Sequence, residues 1–245
     1  MQERNKHTDA FDLSALFKRH FKAVNLFHHE QITAVTEEQL RKIFKEKHPQ
    51  EKFEVQKNHS CVCYPFGIRE IYFDKESLDE ESLYYVTNFE KPNLGLLLPE
   101  SFQLSAESPF FATDTFHIQQ PATANSAFNF PLYEYSGKDL FHKKINLNMD
   151  ITREISLRNS LEFLPEDPGK GNVCFVQHPD LRDDFKTFYT PAHLLDYIYA
   201  VLHTKQYNSR KKTIWIPYPE ENSFWRDVAQ GQKLRQSHRV QKRKK

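Results

Sequence analysis

Glycine is scarce in this 245-residue chain, with only six, at positions 67, 95, 137, 169, 171 and 231. Phosphate-binding loops depend on glycine because backbone N–H groups must close on the anion without a Cβ in the way. The one close pair, Gly169-Lys-Gly171, lacks both a third glycine and a preceding strand. Walker, Gly-x-Ser-x-Gly and His-Glu-x-x-His patterns are also absent, so P-loop hydrolysis, dinucleotide hydride transfer and the common hydrolase signatures lose their basis. Cysteine is sparse too: Cys61, Cys63 and Cys174 form an odd count with no Cys-x-x-Cys. This argues against a disulfide framework or a structural zinc site and favours a reducing, cytoplasmic setting. The longest aliphatic stretch, Leu94-Gly-Leu-Leu-Leu98, is far below membrane-spanning length, and MQERNKHTDAFDL carries no apolar signal core. A soluble protein without membrane partners is expected.

What is present is aromatic mass and segregated charge. The 21 Phe and 11 Tyr lie in a chain that is 38% hydrophobic, enough for a packed core. The formal net charge of +1 hides an asymmetry. Gln232–Lys245 holds seven Lys/Arg and no acid, which leaves 27 basic against 33 acidic residues in the body, or −6. A basic tail of this kind either contacts phosphate or is a solvated end.

Apolar residues near helical spacing predict one or two helices over Phe11–Phe27. Thr36-Glu-Glu-Gln39 reads as a capping box for a helix ending before Pro49. Strands are expected over Phe53–Pro65, Ile68–Phe73, Leu94–Leu98, Phe130–Tyr135 and Val173–Val176, with a loop at Glu166–Gly171. Ser101–Asn129 is polar, aromatic and aperiodic. Thr190-Pro191 opens an amphipathic helix to His203, where His203 would face the C-terminal helix dipole. An extended Ile214–Pro219 piece and a helix from Phe224 to Leu234 close the body. The fold expected is α+β, a mixed β-sheet core with long loops flanked by N- and C-terminal helices. The expected divisions are a helical connecting segment (1–60), a β-rich core (61–190) and a helical segment with the basic tail (191–245), with 61–245 forming one compact unit.

Catalytic constellations are thin. Pro179-Asp180 followed by Asp184-Phe-Lys186 echoes a metal-nuclease signature, in which two carboxylates hold the metal and a lysine steadies the attacked phosphate. All of its residues share one short charged loop instead of adjacent strands. The twelve His, among them His28-His29, His117, His178 and His193, supply no i,i+4 pair with a supporting carboxylate. Cys61 and Cys63 would share a strand face, but two ligands do not complete a metal site.

Four ordered pieces carry a resemblance: Tyr64-Pro-Phe-Gly-Ile-Arg-Glu-Ile-Tyr72; Asn93-Leu-Gly-Leu96; Phe130-Pro-Leu-Tyr-Glu-Tyr135 with Asn146-Leu-Asn148; and Asp196-Tyr-Ile-Tyr-Ala-Val-Leu-His203 with Tyr207, Ile216-Pro-Tyr-Pro219, Phe224-Trp225 and Gly231-x-Lys-Leu-Arg235. Over roughly Tyr64–Arg239 this set resembles the C-terminal target-recognition region of type IIG and type ISP restriction enzymes, which follows an adenine-N6 methyltransferase. Gly67 replaces the Asp usual after Pro-Phe, and the Arg often found beyond the Asn-Leu-Gly-Leu strand is missing.

The resemblance implies a non-catalytic domain that recognises double-stranded DNA and directs adenine methylation and cleavage. The methyltransferase and nuclease part would be fused in a longer chain or supplied separately. No cofactor is expected in this chain, whereas S-adenosylmethionine and magnesium belong to a parent or partner enzyme. Base reading requires donors and acceptors on loops held by a rigid scaffold. Gln103, Thr113, Asp114, Gln119, Gln120 and Asn125 are the candidates for bases, and Lys143, Lys144 and Arg153 for phosphates. Arg69 reads either as a DNA contact or, the favoured reading, as partner to a buried carboxylate. Tyr197, Tyr199, Trp215, Tyr218 and Trp225 suit core packing better than base stacking. Competing readings are a metal nuclease built on Asp180, Asp184 and Lys186, and a protein-interaction module presenting the 191–203 helix to a partner.

Overall fold

The computed structural model describes residues 9–26, 32–63, 67–100, 111–119, 127–135, 143–165, 186–204, 206–210 and 213–238. Of the one or two helices expected over Phe11–Phe27, a single turn forms among the described residues. β1 (Ala10–Asp12) leads into the single turn α1 (Leu13–Leu16), capped by the Asp12 side chain accepting from Ser14 N, and then β2 (Phe21–Lys22). The apolar residues here have near-helical spacing but serve different layers: Leu13, Leu16 and Phe17 enter one core and Phe21 and Val24 another.

β3 (Ile32–Ala34) precedes α2 (Glu37–Lys47), which starts where the sequence predicts, with Thr36 Oγ1 accepting from Gln39 N at 3.3 Å. Glu37 and Glu38 in its first turn and Lys45 and Lys47 in its last complement the helix dipole. β4 (Asn58–Cys63) and β5 (Gly67–Tyr72) form an antiparallel pair. α3 (Glu80–Asn88), which the sequence reading passed over, is capped by Asp79 accepting from Ser82 N at 2.9 Å. Next come β6 (Gly95–Pro99), β7 (Phe111–Thr113), β8 (Ala127–Pro131), β9 (Tyr133–Tyr135) and β10 (Lys143–Ile145). α4 (Met149–Asn159), also passed over, is capped by Asn148 and closes on Ser160 in the left-handed region at φ 53°. β11 (Glu162–Phe163), β12 (Phe188–Tyr189), α5 (Pro191–His203), β13 (Asn208–Arg210), β14 (Thr213–Pro217) and α6 (Phe224–His238) complete the described chain. The expected strand at Val173–Val176 and loop at Glu166–Gly171 lie outside the described residues.

The α+β class holds, but the strands are divided over small sheets instead of one. The largest, β2-β8-β6-β7, is antiparallel, as are β3-β5-β4, β1-β14-β13 and β10-β9, while β11 and β12 pair in parallel. Leu96, Leu98 and Phe130 pack with α1, α5, β14 and Phe224 of α6 in the main core. A second core gathers Phe21, Cys61, Cys63, Ile71, Tyr85 and Phe116, and a third places Leu40 and Phe44 of α2 on Ile32, Phe53 and Tyr72. Cys61 and Cys63 share a face as expected, both buried, with their sulfurs 3.8 Å apart. Among the described residues, no helix is long and apolar enough to cross a membrane.

α5 matches its predicted bounds: the Thr190 hydroxyl accepts from His193 N and the His193 ring accepts from Thr190 N. Every residue from Leu194 to Leu202 is buried. α6 crosses α5 at Gly231, where an added Cβ would fall 1.7 Å from the Asp196 carbonyl oxygen. One turn on, Arg235 makes a bidentate ion pair with Asp196, whose side chain is only 2% exposed. Burial pushes the Asp196 carboxyl above its ordinary range, against the lowering pull of Arg235.

A buried polar cluster ties down the aperiodic region. His117 Nε2 lies 2.9 Å from the Ala127 carbonyl, which can only accept, so this nitrogen carries the proton and Nδ1 accepts from the Tyr85 hydroxyl at 2.6 Å. The Tyr85 oxygen in turn accepts from His117 N (3.0 Å) and Asn129 Nδ2 (2.9 Å). A second proton on His117 has no acceptor to face, and burial lowers its pKa from 6.5 to about 4. The unfolded chain therefore takes up this proton first as pH falls, and stability is lost between pH 6.5 and 4. Urea unfolding at pH 7 and pH 4 should show a His117 contribution of about 3 kcal/mol lost over that window. His117→Gln should flatten this part of the profile, whereas an unchanged profile would refute the assignment.

Candidate nucleic-acid interface

The structure separates the residues singled out from sequence. Thr113 is fully buried, its hydroxyl donating to the Thr115 carbonyl and accepting from Thr115 N, both at 3.1 Å, so it does not reach a base. A polar residue in an aperiodic stretch had suggested a loop, but Thr113 ends β7 and its hydroxyl closes a local turn. Asp114 and Gln119 are half-buried. Gln103, Gln120 and Asn125 lie outside the described residues. Arg153 is exposed on α4, 3.7 Å from Asp150.

Arg69 does not partner a buried carboxylate among the described residues. Its guanidinium donates to the Ile68 carbonyl at 3.3 Å, and the neighbouring Glu70 instead accepts from the Ser60 hydroxyl. Arg69 joins Thr33, Gln39, Lys42, Ile43 and Glu46 around an open groove of about 440 Å³. Arg235, counted in the basic tail, is held by Asp196 inside the fold. Arg239–Lys245 lies outside the described residues.

Lys143 and Lys144 occupy β10 and point to opposite faces, because successive strand residues alternate. The Lys143 ammonium sits 4.1 Å from the Tyr133 ring centre, half-buried, while Lys144 is exposed opposite Glu134. Beside them runs a segment the sequence reading did not select: Lys18, Arg19, His20 and Lys22 are all exposed. The Lys18 ammonium reaches the Ile145 carbonyl, and the Arg19 guanidinium lies 3.5 Å from Glu134. Two stretches more than a hundred residues apart in sequence thus form one basic edge.

Asn146 is the clamp that joins them. Fully buried, it accepts from Arg19 N at 2.8 Å and donates to the carbonyls of Arg19 and Pro131, both at 2.7 Å. Asn148 N donates to Leu16 O at 2.7 Å, while its side chain donates to Ala15 O and caps α4. On the other side of β9, Asn88 and Asn93 both donate to Tyr133 O, and Asn88 accepts from Tyr135 N. Gly95 leaves room for Asn129 and Phe89, since a Cβ there would fall 2.0 Å from Asn129 Oδ1. The Asn146-Leu-Asn148, Asn93-Leu-Gly-Leu and Asp196…Gly231…Arg235 motifs are therefore architectural, and they place side chains such as Arg19 and Lys144 at the surface.

The competing readings fare differently. Asp180 and Asp184 lie outside the described residues, and Lys186 sits 4.8 Å from the Trp225 ring centre. Among the described residues, no group of three or more His, Cys, Asp and Glu is placed to hold a metal. The interaction module is overturned as formulated, because α5 is buried between the sheets and α6. Tyr197 and Tyr199 are core residues, the Tyr197 hydroxyl donating to Pro217 O at 2.8 Å.

Comparisons with known proteins agree with this architecture. The fold is similar to a chain of a DrdV–DNA complex (TM-score 0.57, 13% identity, covering 95% of this chain and 24% of that one). It is also similar to the ATP-dependent Type ISP restriction-modification enzyme LlaBIII bound to DNA (0.53, 12%, 91% and 16%). A third similar structure is a nuclease-deletion mutant of the Type ISP enzyme LlaGI with a DNA substrate mimic (0.50, 10%, 93% and 22%). The chain thus spans a quarter or less of each of these proteins. No match was found among curated proteins. Residues 10–245 match the family described as Type ISP C-terminal specificity domain, which covers nearly the whole sequence: the chain belongs to the Type ISP C-terminal specificity domain family.

Proposed function

We propose that this chain is the part of a restriction-modification enzyme that recognises a target sequence in double-stranded DNA. The observation that carries the reading is the basic edge of Lys18, Arg19, Lys22 and Lys144, pinned by Asn146 on a scaffold of the specificity family. Exposed lysines suit phosphates, which fix register and give salt-dependent affinity, while polar side chains beside them suit base edges. The partner catalytic part, fused or separate, would be an adenine-N6 methyltransferase of the type IIG or type ISP kind with a nuclease. It would use S-adenosylmethionine and magnesium, neither of which this chain is read to bind, and would work in the cytoplasm of a bacterial cell.

Fluorescence anisotropy on a labelled duplex over a salt series tests this. Lys144→Ala should lower the slope of log K against log salt by about 0.9, the share of one phosphate contact, and leave the melting midpoint unchanged. Lys143→Ala should have a smaller effect, because its ammonium is already engaged by Tyr133. Equal slopes for the wild type and the Lys144 variant would contradict the placement of the phosphate-binding edge.

A further inference from the structure

We infer that Arg19 and Glu134 together read one G·C base pair of the target, Arg19 taking the guanine and Glu134 the cytosine. This deepens, and rests on, the DNA-recognition reading above.

Arg19 differs from the arginines that are locked onto carboxylates. Arg41 and Arg158 each donate a hydrogen bond of 2.7 Å to a carboxylate one turn away, at Glu37 and Glu154, and Arg235 is consumed by Asp196. Arg19 makes one looser ion pair, at 3.5 Å, and its side chain is 50% exposed. It is nevertheless held in orientation. Its backbone is fixed on both sides by Asn146, and its guanidinium lies over the rings of Tyr84 at 4.8 Å and Phe21 at 5.6 Å. A pre-oriented fork with donors facing outward is what bidentate recognition of guanine O6 and N7 requires.

Glu134 argues for a base over a phosphate. A carboxylate 3.5 Å from the guanidinium repels a phosphodiester, and Glu134 stands opposite Lys144 in the β9–β10 register, so the two cations flank a negative charge. On a G·C pair the same carboxylate is an asset, because cytosine presents its N4 amine in the major groove beside the guanine acceptors. Glu134 Oε2 is engaged by the Tyr84 hydroxyl (3.1 Å) and Arg19, and Oε1 has no partner among the described residues. Lys18, Lys22 and Lys144, exposed around the pair, would contact the flanking phosphates.

The test is enrichment from a randomised duplex pool at one salt concentration, followed by sequencing, for the wild type, Arg19→Ala, Arg19→Lys and Glu134→Ala, with melting midpoints measured in parallel to show that each is folded. The expected result is a wild-type motif with one G·C position at which Arg19→Ala loses about tenfold or more of its discrimination, the other positions standing. Arg19→Lys should restore affinity but not full discrimination, and Glu134→Ala should relax the same position. Weaker binding by Arg19→Ala with every position still discriminated would make Arg19 a phosphate contact and overturn the inference. A wild-type pool without any motif would remove the DNA-reading function itself, a distinct failure.

Discussion

Gly231→Ala should unfold this protein more readily than any surface substitution, lowering its stability by about 3 kcal/mol or more. The added Cβ would fall 1.7 Å from the Asp196 carbonyl oxygen, 2.6 Å from its carbon and 3.1 Å from Ala200 N. These are backbone atoms in the middle of a buried helix, so no rotamer change relieves the clash and α6 must move away from α5. Phe224 and Val228 lie in the main core on the same helix and would move with it. For a chain of this length the loss corresponds to a fall in melting temperature of about 6–12 °C. Calorimetry on the wild type and the variant checks it, and a fall of under 2 °C would show that α6 does not dock as described.

The second large effect is at the ion pair one turn away. Asp196→Ala leaves the Arg235 guanidinium, 11% exposed, without its carboxylate, and Arg235→Met leaves a carboxylate that is 2% exposed without its cation. Each should cost about 3–5 kcal/mol, the penalty for an uncompensated buried charge. The pair itself supplies little net stability. Burial raises the Asp196 carboxyl even with Arg235 in contact, so the attraction does not fully offset the lost hydration. Replacing both partners by apolar side chains, Asp196→Leu with Arg235→Met, should therefore recover most of either single loss. A double-mutant cycle by urea unfolding measures this, and additive losses would show that the two residues act separately.

The sequence was most legible where local chemistry and packing agree. α5 reads directly from Thr190-Pro191 and an unbroken apolar period, and α2 from the Thr36 cap and the stop at Pro49. α3 and α4 carried comparable signals, Asp79 before two glutamates and Asn148 before Asp150, but their apolar faces are short. The N-terminal segment misled for a different reason. Its apolar spacing near 3.6 serves separate cores, and the Lys18-Arg19-His20 interruption is the exposed edge itself.

The interface was less legible because composition does not reveal burial or distant partners. Residue type does not distinguish a loop donor from the buried Thr113 hydroxyl that closes a turn, and the carboxylate partner favoured for Arg69 gives way to a place on an open groove. Arg19 had no mark in the sequence, since its orientation depends on Asn146, 127 residues away. The motifs that carried the family resemblance proved to be joints of the scaffold: Asn93, Gly95, Asn146, Asp196, Gly231 and Arg235 hold strands and helices together. Such joints identify the fold, while the side chains they position decide what is bound.

The central claim, that this chain selects a DNA sequence, is tested most directly by binding the wild-type protein to a randomised duplex pool at low and moderate salt and sequencing the retained DNA. Enrichment of one short motif at both salts is the predicted result. Salt-sensitive retention with no enriched sequence, or no retention at low salt, would contradict it.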